Sequence, residues 1–307
     1  MPLDLSIAVG NRDVNRALLS GEVEPDGIDA TVVSEYPPRR NRWFFEYGDY
    51  DVAEVSLASY LAARASDEEY SCTALSVFPA RRFRHSFLWK HTDAPVDDPA
   101  DLAGKRVGIQ TWHSTPGVWI RGIAKEHYGL DLEAVTWYQR ETSVPTAIPP
   151  RFDVQPLPRD QSDDTVADPS AYREMFRAGD LDAAMDPVSS MFNAVVESED
   201  LDFVFDDPVA EERQYYRETA IFPIMHVVVV RDEVLADHSW VATNLVEAFT
   251  AALDRRRELN RHVKTNTSIV WAHHQLAEQR ALLDPDVWNY GLTDSNVRTW
   301  KRSCSVS

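Results

Sequence analysis

The sequence predicts an α/β fold divided into two lobes, a two-lobed clamshell. Three observations carry that expectation. Strand-like and helix-like runs alternate through the first 80 residues, which implies a parallel sheet with crossover helices. A second strand–helix series restarts after residue 105. The chain has 307 residues, 44% of them hydrophobic, more than a single core usually organises. The expected division is a discontinuous first lobe, 1–95 with 225–307, and a second lobe, 96–224, that carries a Pro-rich loop at 141–170.

Each element follows from pattern and punctuation. Leu3 to Val9 alternates apolar and polar residues and reads as a strand. Gly10 to Asp13 is a turn, Val14 to Leu19 a short helix, and Ile28 to Val33 a second strand. Trp43 to Phe45 belongs to a short helix. Tyr50 to Val55 is a strand leading into a helix over Leu57 to Ala65, for which Ser56 is a natural N-cap. Thr73 to Phe78 and Phe83 to Trp89 read as extended. Arg106 to Gln110 opens the second series. Ser114 or Thr115 followed by Pro116 is an N-cap with proline in the first turn, and Gly129 ends the helix after Tyr128. Ala134 to Tyr138 and Asp182 to Met185 are strands, with a helix over Ala171 to Ala178 between them. Six prolines in 141–170 predict a surface loop. Ile224 to Val230 is a β-branched buried strand, and Trp240 to Lys264 a long amphipathic helix.

Composition excludes several classes. Fifty acidic residues against 31 basic ones give a net charge of −19, which argues against nucleic acid and anionic membrane surfaces as partners. Only Lys90, Lys105, Lys125, Lys264 and Lys301 are lysines. An Asp/Glu-rich, Arg-for-Lys surface points to a halophilic protein. Cys72 and Cys304 make neither a disulfide framework nor a metal cluster. The start lacks a basic segment followed by an apolar one, and no run approaches the ~20 apolar residues of a membrane span, so a cytoplasmic location is expected. Nucleotide-binding glycine motifs and zinc motifs are absent, so neither an organic cofactor nor a metal is expected.

Against that acidic background Phe78 to Ser86 stands out, placing Arg81, Arg82 and Arg84 beside His85 and Ser86. Guanidinium groups hold carboxylates, and an imidazole offers a titratable proton. In an extended run Arg82 and Arg84 would share a face. The turn Trp112-His113-Ser114-Thr115 starts a helix, where free amides attract anions, and Arg121 follows two turns later. His226 opens the buried strand at Ile224. Arg12 and the Glu54-Val55-Ser56 segment lie at strand C-terminal ends, where open α/β sheets bind ligands.

Taken together, Asp51 to Tyr60, Val77 to Ser86, Asp101 to Gly108, Trp119 to Gly122, and Tyr215 to Val230 with its Ile-Phe-Pro-Ile-Met-His core resemble the 4,5-dihydroxyphthalate decarboxylase family. The similarity runs from about residue 3 to 298. The first turn, Asn11-Arg12-Asp13, departs from the family's Tyr-Asp-type motif, and the end stops short of its usual terminal helix. The resemblance implies a fold like that of type II periplasmic binding proteins. It also implies cofactor-independent loss of one carboxylate from a hydroxylated aromatic dicarboxylate such as 4,5-dihydroxyphthalate, giving protocatechuate. In that reading Arg81, Arg84 and Arg121 clamp carboxylates, and His85, His113 and His226 are candidate acids, with His85 preferred. Glu54 meets the ring hydroxyls, and Arg12, Ser56, Ser86, Trp112, Ser114 and Thr115 line the substrate. The alternatives are a non-catalytic carboxylate-binding protein of the same fold and a related enzyme of cofactor-precursor synthesis. The expected partner is a small aromatic carboxylate; a homo-oligomer is compatible with the sequence.

Overall fold

The computed structural model describes residues 2–65, 71–139, 148–157, 169–185, 189–262 and 267–306. The chain forms two compact units. One comprises Met1–Arg81 with Tyr216–Lys301, the other Arg82–Tyr215 with Arg302–Ser307.

The first unit is built on six strands: β1 (Leu3–Val9), β2 (Ile28–Ser34), β3 (Val52–Ser56), β4 (Cys72–Ala74), β5 (Ala80–Arg81) and β12 (Ile224–Arg231). Their order is β2-β1-β3-β12-β4, with β5 also pairing β12. β1 is parallel to β2 and β3, in register Leu5↔Ala30 and Ile7↔Val52. β12 is antiparallel to β3, β4 and β5. The sheet is therefore mixed, where the sequence implied a parallel one, because β12 follows a chain segment of the second unit and is not joined to its neighbour β3 by a direct crossover. β12 is buried on both faces, which explains its unbroken apolar run. Val228 and Val230 pack with Leu5, Ile7, Val9 and Val52 against Leu245, Phe249 and Leu253 of the helix Val241–Arg261. Val227 and Val229 pack on the opposite face with Phe44 and Phe78.

The strand expected over Thr73 to Phe78 shortens to β4. Beyond it, Leu75 N–H donates to Val228 and Val228 N–H to Val77, and Pro79 has no N–H to continue the ladder. The run Phe83 to Trp89 is extended only at its last two residues, Leu88 and Trp89. Arg84 turns (φ −133°, ψ 4°) into a 3-10 segment, His85–Phe87, so Arg82 is exposed while Arg84 is buried, and the two do not share a face.

The second unit carries β6 (Leu88–His91), β7 (Arg106–Ile109), β8 (Thr136–Gln139), β9 (Asp153–Pro156), β10 (Ala183–Met185) and β11 (Leu201–Phe203), in the order β11-β6-β10-β7-β8-β9. β7, β8, β9 and β10 are mutually parallel, and β6 runs antiparallel to β10 and β11. Because β6 pairs in this second sheet, the crossing falls at Arg81/Arg82, ahead of residue 95. Part of the Pro-rich segment is strand β9; residues 140–147 and 158–168 lie outside the described residues. The helix Thr115–Tyr128 is capped by Ser114, whose Oγ accepts from Gly117 N–H, and is closed by Gly129 in the left-handed region (φ 72°). It buries Val118, Trp119, Ile120, Ile123 and Ala124, so Trp119 is a core residue. A terminal helix spans Asp294–Val306.

Candidate functional site

In the first unit the alternation of β3 puts Val52, Glu54 and Ser56 on one face. Val52 joins the apolar core, and Glu54, two residues on, is a fully buried carboxylate. Such a group is costly unless it is paired and hydrogen-bonded. Both its oxygens are occupied. Oε2 accepts from Gly10 N–H at 2.9 Å and Asn15 Nδ2 at 3.0 Å. Oε1 meets Arg12 Nε at 3.1 Å, Arg40 Nη2 at 3.2 Å and His226 Nδ1 at 2.5 Å. Arg40 also donates from Nε to the Glu54 carbonyl and from Nη1 to the Glu35 carbonyl. The antiparallel register His226↔Ser56 and Val228↔Glu54 is what brings the histidine to the carboxylate.

The electrostatics assign protons. Burial by itself would raise the Glu54 carboxyl, but Arg40, the hydrogen bond and charge of His226, and Arg12 outweigh it and hold the carboxyl well below its ordinary value. His226 moves down from its ordinary 6.5: burial lowers it, Glu54 opposes, and Arg12 and Arg40 add to the lowering. At neutral pH the pair is therefore a carboxylate and a neutral imidazole. Nδ1 carries the hydrogen toward Glu54, which leaves Nε2 as a lone-pair acceptor. Arg12 is a third exposed and His226 about an eighth, whereas Arg40 and Glu54 are closed off. Arg40 and Asn15 belong to this network and were not visible as site residues in the sequence. The one available signal was Pro37, which marks the start of the helix Pro37–Arg42 but not which of its arginines packs toward β3.

Ser56 serves the local backbone: its Oγ accepts from Ser59 N–H and its own N–H donates to Asn41. Arg81 is buried, with Nη1 donating to the Phe222 carbonyl at 3.3 Å and Nη2 to Asn296 Oδ1. Burial pushes the Arg81 guanidinium down to about 10.

The second unit holds the other candidates. Arg121 is buried in the helix Thr115–Tyr128, stacked over Trp112 at 4.0 Å and near Trp137 at 5.8 Å. Its Nη2 donates to the Trp112 carbonyl at 2.5 Å, while Nη1 is buried with no hydrogen-bond partner. Burial lowers it to about 9, and no carboxylate among the described residues opposes that shift. Gly117 makes room for it: a Cβ there would lie 2.8 Å from Ser114 Oγ and 3.1 Å from Arg121 Nη1. Trp112, Ser114, Thr115 and Arg121 thus gather at one helix start, with His113 half-buried beside them.

His85, preferred as the acid from sequence, is 2% exposed in the second unit's interior. It packs on Phe205 and Tyr215 with centroids 5.4 and 5.5 Å away, and neither ring nitrogen has a hydrogen-bond partner. With Arg84, Leu88, Pro99, Ile120, Ile123, Ala124 and Phe205 it lines a small cavity. Burial, then His127, lower its pKa to about 4. Arg84 stacks on Phe87, and Ser86 donates to Glu212 at 3.2 Å. The Arg81–His85 stretch is therefore divided: Arg81 belongs to the first unit, Arg84, His85 and Ser86 to the second. Among the described residues no cluster of three or more His, Cys, Asp or Glu side chains is placed to hold a metal.

Two α/β units of these topologies define the type II periplasmic-binding-protein-like fold. Solved structures agree: protein AF1704 of Archaeoglobus fulgidus (TM-score 0.57, 12% identity, 99% of this chain and 96% of that one) and the periplasmic aliphatic sulphonate binding protein SsuA of Escherichia coli (0.53, 13%, 99% and 84%). So does a Candida albicans protein described as having the generic periplasmic binding protein fold (0.52, 15%, 100% and 90%). No family model matches the chain. It is, however, 31% identical over 298 residues to a 4,5-dihydroxyphthalate decarboxylase of Comamonas testosteroni, covering 95% of this chain and 88% of that protein. A Pseudomonas putida protein of the same name is 35% identical over 188 residues, 60% of this chain and 70% of that protein. The chain belongs to the 4,5-dihydroxyphthalate decarboxylase family.

These comparisons correct the expected location. The cytoplasmic expectation rested on the start of the sequence. The fold is the one carried by proteins named as periplasmic binding proteins, so that assignment is withdrawn. Among the described residues no helix is long and apolar enough to cross a membrane.

Proposed function

We propose that this protein removes one carboxylate from a hydroxylated aromatic dicarboxylate of the 4,5-dihydroxyphthalate type, giving protocatechuate and CO2, with His226 as the proton-handling residue. The observation that carries the reading is the buried Glu54–His226 couple, with Arg12 beside it. A neutral imidazole held at Nδ1 by a carboxylate is a base at Nε2, and the carboxylate stabilises the imidazolium that forms. Nε2 takes the proton of a ring hydroxyl. Electron density then reaches the carbon bearing the carboxylate, and the imidazolium is the acid available to protonate that carbon. The C–C bond breaks, its electron pair restores the aromatic ring, and CO2 leaves. Arg12, beside the couple in the same unit, supplies cationic N–H groups of the kind that hold a carboxylate.

The test is CO2 release and protocatechuate formation from 4,5-dihydroxyphthalate, run from dilute buffer to multimolar salt to meet the halophilic reading as well. His226→Gln is expected to lower kcat by at least about 100-fold, the usual scale of acid–base catalysis. Full turnover by that variant defeats the assignment. Tight binding with no CO2 favours the non-catalytic carboxylate-binding reading, for which the uncompensated Arg121 is the specific support.

A further inference from the structure

The first unit contains a second polar cluster that the Glu54–His226 couple does not use. Tyr290 is 7% exposed, and its hydroxyl is buried with no hydrogen-bond partner. Arg81 is 5% exposed, and its Nε–H is likewise buried without a partner. Asn296 ties the two together. Its Oδ1 accepts from Arg81 Nη2, and its Nδ2 donates to the carbonyls of Asn289 and Gly291 at 2.8 Å each, on either side of Tyr290. Gly291 N–H is fixed to the Ser76 carbonyl at 2.7 Å, and Asn289 Oδ1 accepts from Arg257. The tyrosine is therefore held by a bonded frame while its own hydroxyl has no hydrogen-bond partner among the described residues. Buried polar groups are satisfied in the great majority of cases, and a buried guanidinium without a carboxylate is among the costlier exceptions.

We propose that Tyr290 and Arg81 form a two-donor oxyanion site that takes an oxygen of the aromatic ligand, with Asn296 as its positioning residue. Two features fit this chemistry. Besides burial, Tyr290 is the group that acts on the Arg81 guanidinium, and among the described residues no carboxylate neutralises it. Tyr290 itself is pushed up, by burial first and then by Glu54, so the phenol keeps its proton and remains a donor. A neutral phenol beside a cation stabilises charge that develops on an oxygen more than charge already delocalised. The Glu54 influence on Tyr290 also links the pair electrically to the proposed proton-handling couple. The inference rests on the reading of an aromatic hydroxy-carboxylate as ligand, but it does not require turnover.

Two probes separate phenolate from carboxylate recognition. 4-Nitrocatechol reports phenolate formation by its absorption shift, and phthalate, which has no hydroxyl, is followed by calorimetry. Tyr290→Phe removes one oxygen and leaves the ring. It is expected to weaken at least one probe about tenfold, one hydrogen bond to a charged group, while Tm stays equal or rises, since an unsatisfied buried hydroxyl is gone. Arg81→Met, compared at matched folded fraction, is expected to weaken the same probe by at least as much. A lower Tm with unchanged affinity for both probes marks Tyr290 as structural and overturns the proposal, as does failure of the parent protein to bind either probe. Tyr290-dependent binding in a protein that releases no CO2 would sink the decarboxylase reading and leave the oxyanion site standing.

Discussion

His85 makes the sharpest physical prediction. Its pKa falls from an ordinary 6.5 to about 4 because charging it means placing an uncompensated cation among Phe205, Tyr215 and Leu88, with His127 adding repulsion. A depressed histidine binds fewer protons folded than unfolded. Stability therefore rises with pH between the two values: there is no penalty above 6.5, and the penalty grows as pH falls toward 4. Linkage between those two pKa values gives a loss on the order of 1 kcal/mol on going from pH 7.5 to 5.5. That range stays above the sequence pI of about 4.8, where lost net charge would confuse unfolding with precipitation. His85→Phe keeps a ring against Phe205 and Tyr215 and cannot titrate. Any packing cost of the change is the same at both pH values and cancels in the comparison. Urea unfolding of both proteins at the two pH values, read by a probe within the second unit, should show the parent losing on the order of 1 kcal/mol more than the variant. Equal losses would mean that His85 is solvated or charged in the folded protein, and the burial argument would be wrong.

Three further outcomes are expected. Glu54→Gln leaves Arg40 buried without its counter-charge and should cost about 3–5 kcal/mol in unfolding free energy, seen as a clear fall in Tm; an unchanged Tm would show that Arg40 finds another partner. Gly117→Ala pushes a Cβ against Ser114 Oγ and Arg121 Nη1, and should weaken binding of a simple carboxylate such as benzoate about tenfold, one charge-assisted hydrogen bond, with a small change in Tm; unchanged affinity removes Arg121 as a carboxylate-binding residue. Because His226 lies below its ordinary 6.5, kcat/KM should stay flat from pH 8 to below 6.5 and then fall as the base is protonated; a fall already complete at 6.5 would contradict the neutral-imidazole assignment.

Local chemistry made parts of the fold legible. β1 was readable from alternation, and the helix Thr115–Tyr128 from Ser114, Pro116 and Gly129, because each signal acts within a few residues. The antiparallel entry of β12 was not, since nothing in a buried apolar run states its direction. The Phe83 to Trp89 segment failed for a related reason: its composition suits a strand, but Arg84 turns the chain so that His85 enters the second unit's core. In the site, Glu54 and His226 were visible as residue types at strand ends, yet their contact depends on the β3–β12 register, which no local pattern encodes. Arg39 and Arg40 are adjacent and chemically identical. One is about half exposed and the other is closed over by Glu54, and only the packing of their short helix against β3 separates them. Tyr290 gave no signal at all, because its distinguishing property is a partner that it lacks.

That last point separates the buried arginines by their role. Arg40, Arg81 and Arg121 are all closed from solvent, and each carries a desolvation cost that must be met somewhere. For Arg40 it is met inside the chain by the Glu54 carboxylate and two carbonyls, so the guanidinium completes a closed network whose output is the orientation of His226. For Arg81 and Arg121 no carboxylate among the described residues answers. Each spends part of its donor set on carbonyl or amide oxygens and retains one buried N–H with nothing to bond, Nε in the first and Nη1 in the second. An apolar side chain of similar volume would be cheaper in either place if stability were the only constraint. In each unit separately, an anionic oxygen bonded to the unused N–H would offset that cost. The arginine with a full complement of partners is thus the one whose loss should cost stability. The two with an unused N–H are those whose loss should cost affinity.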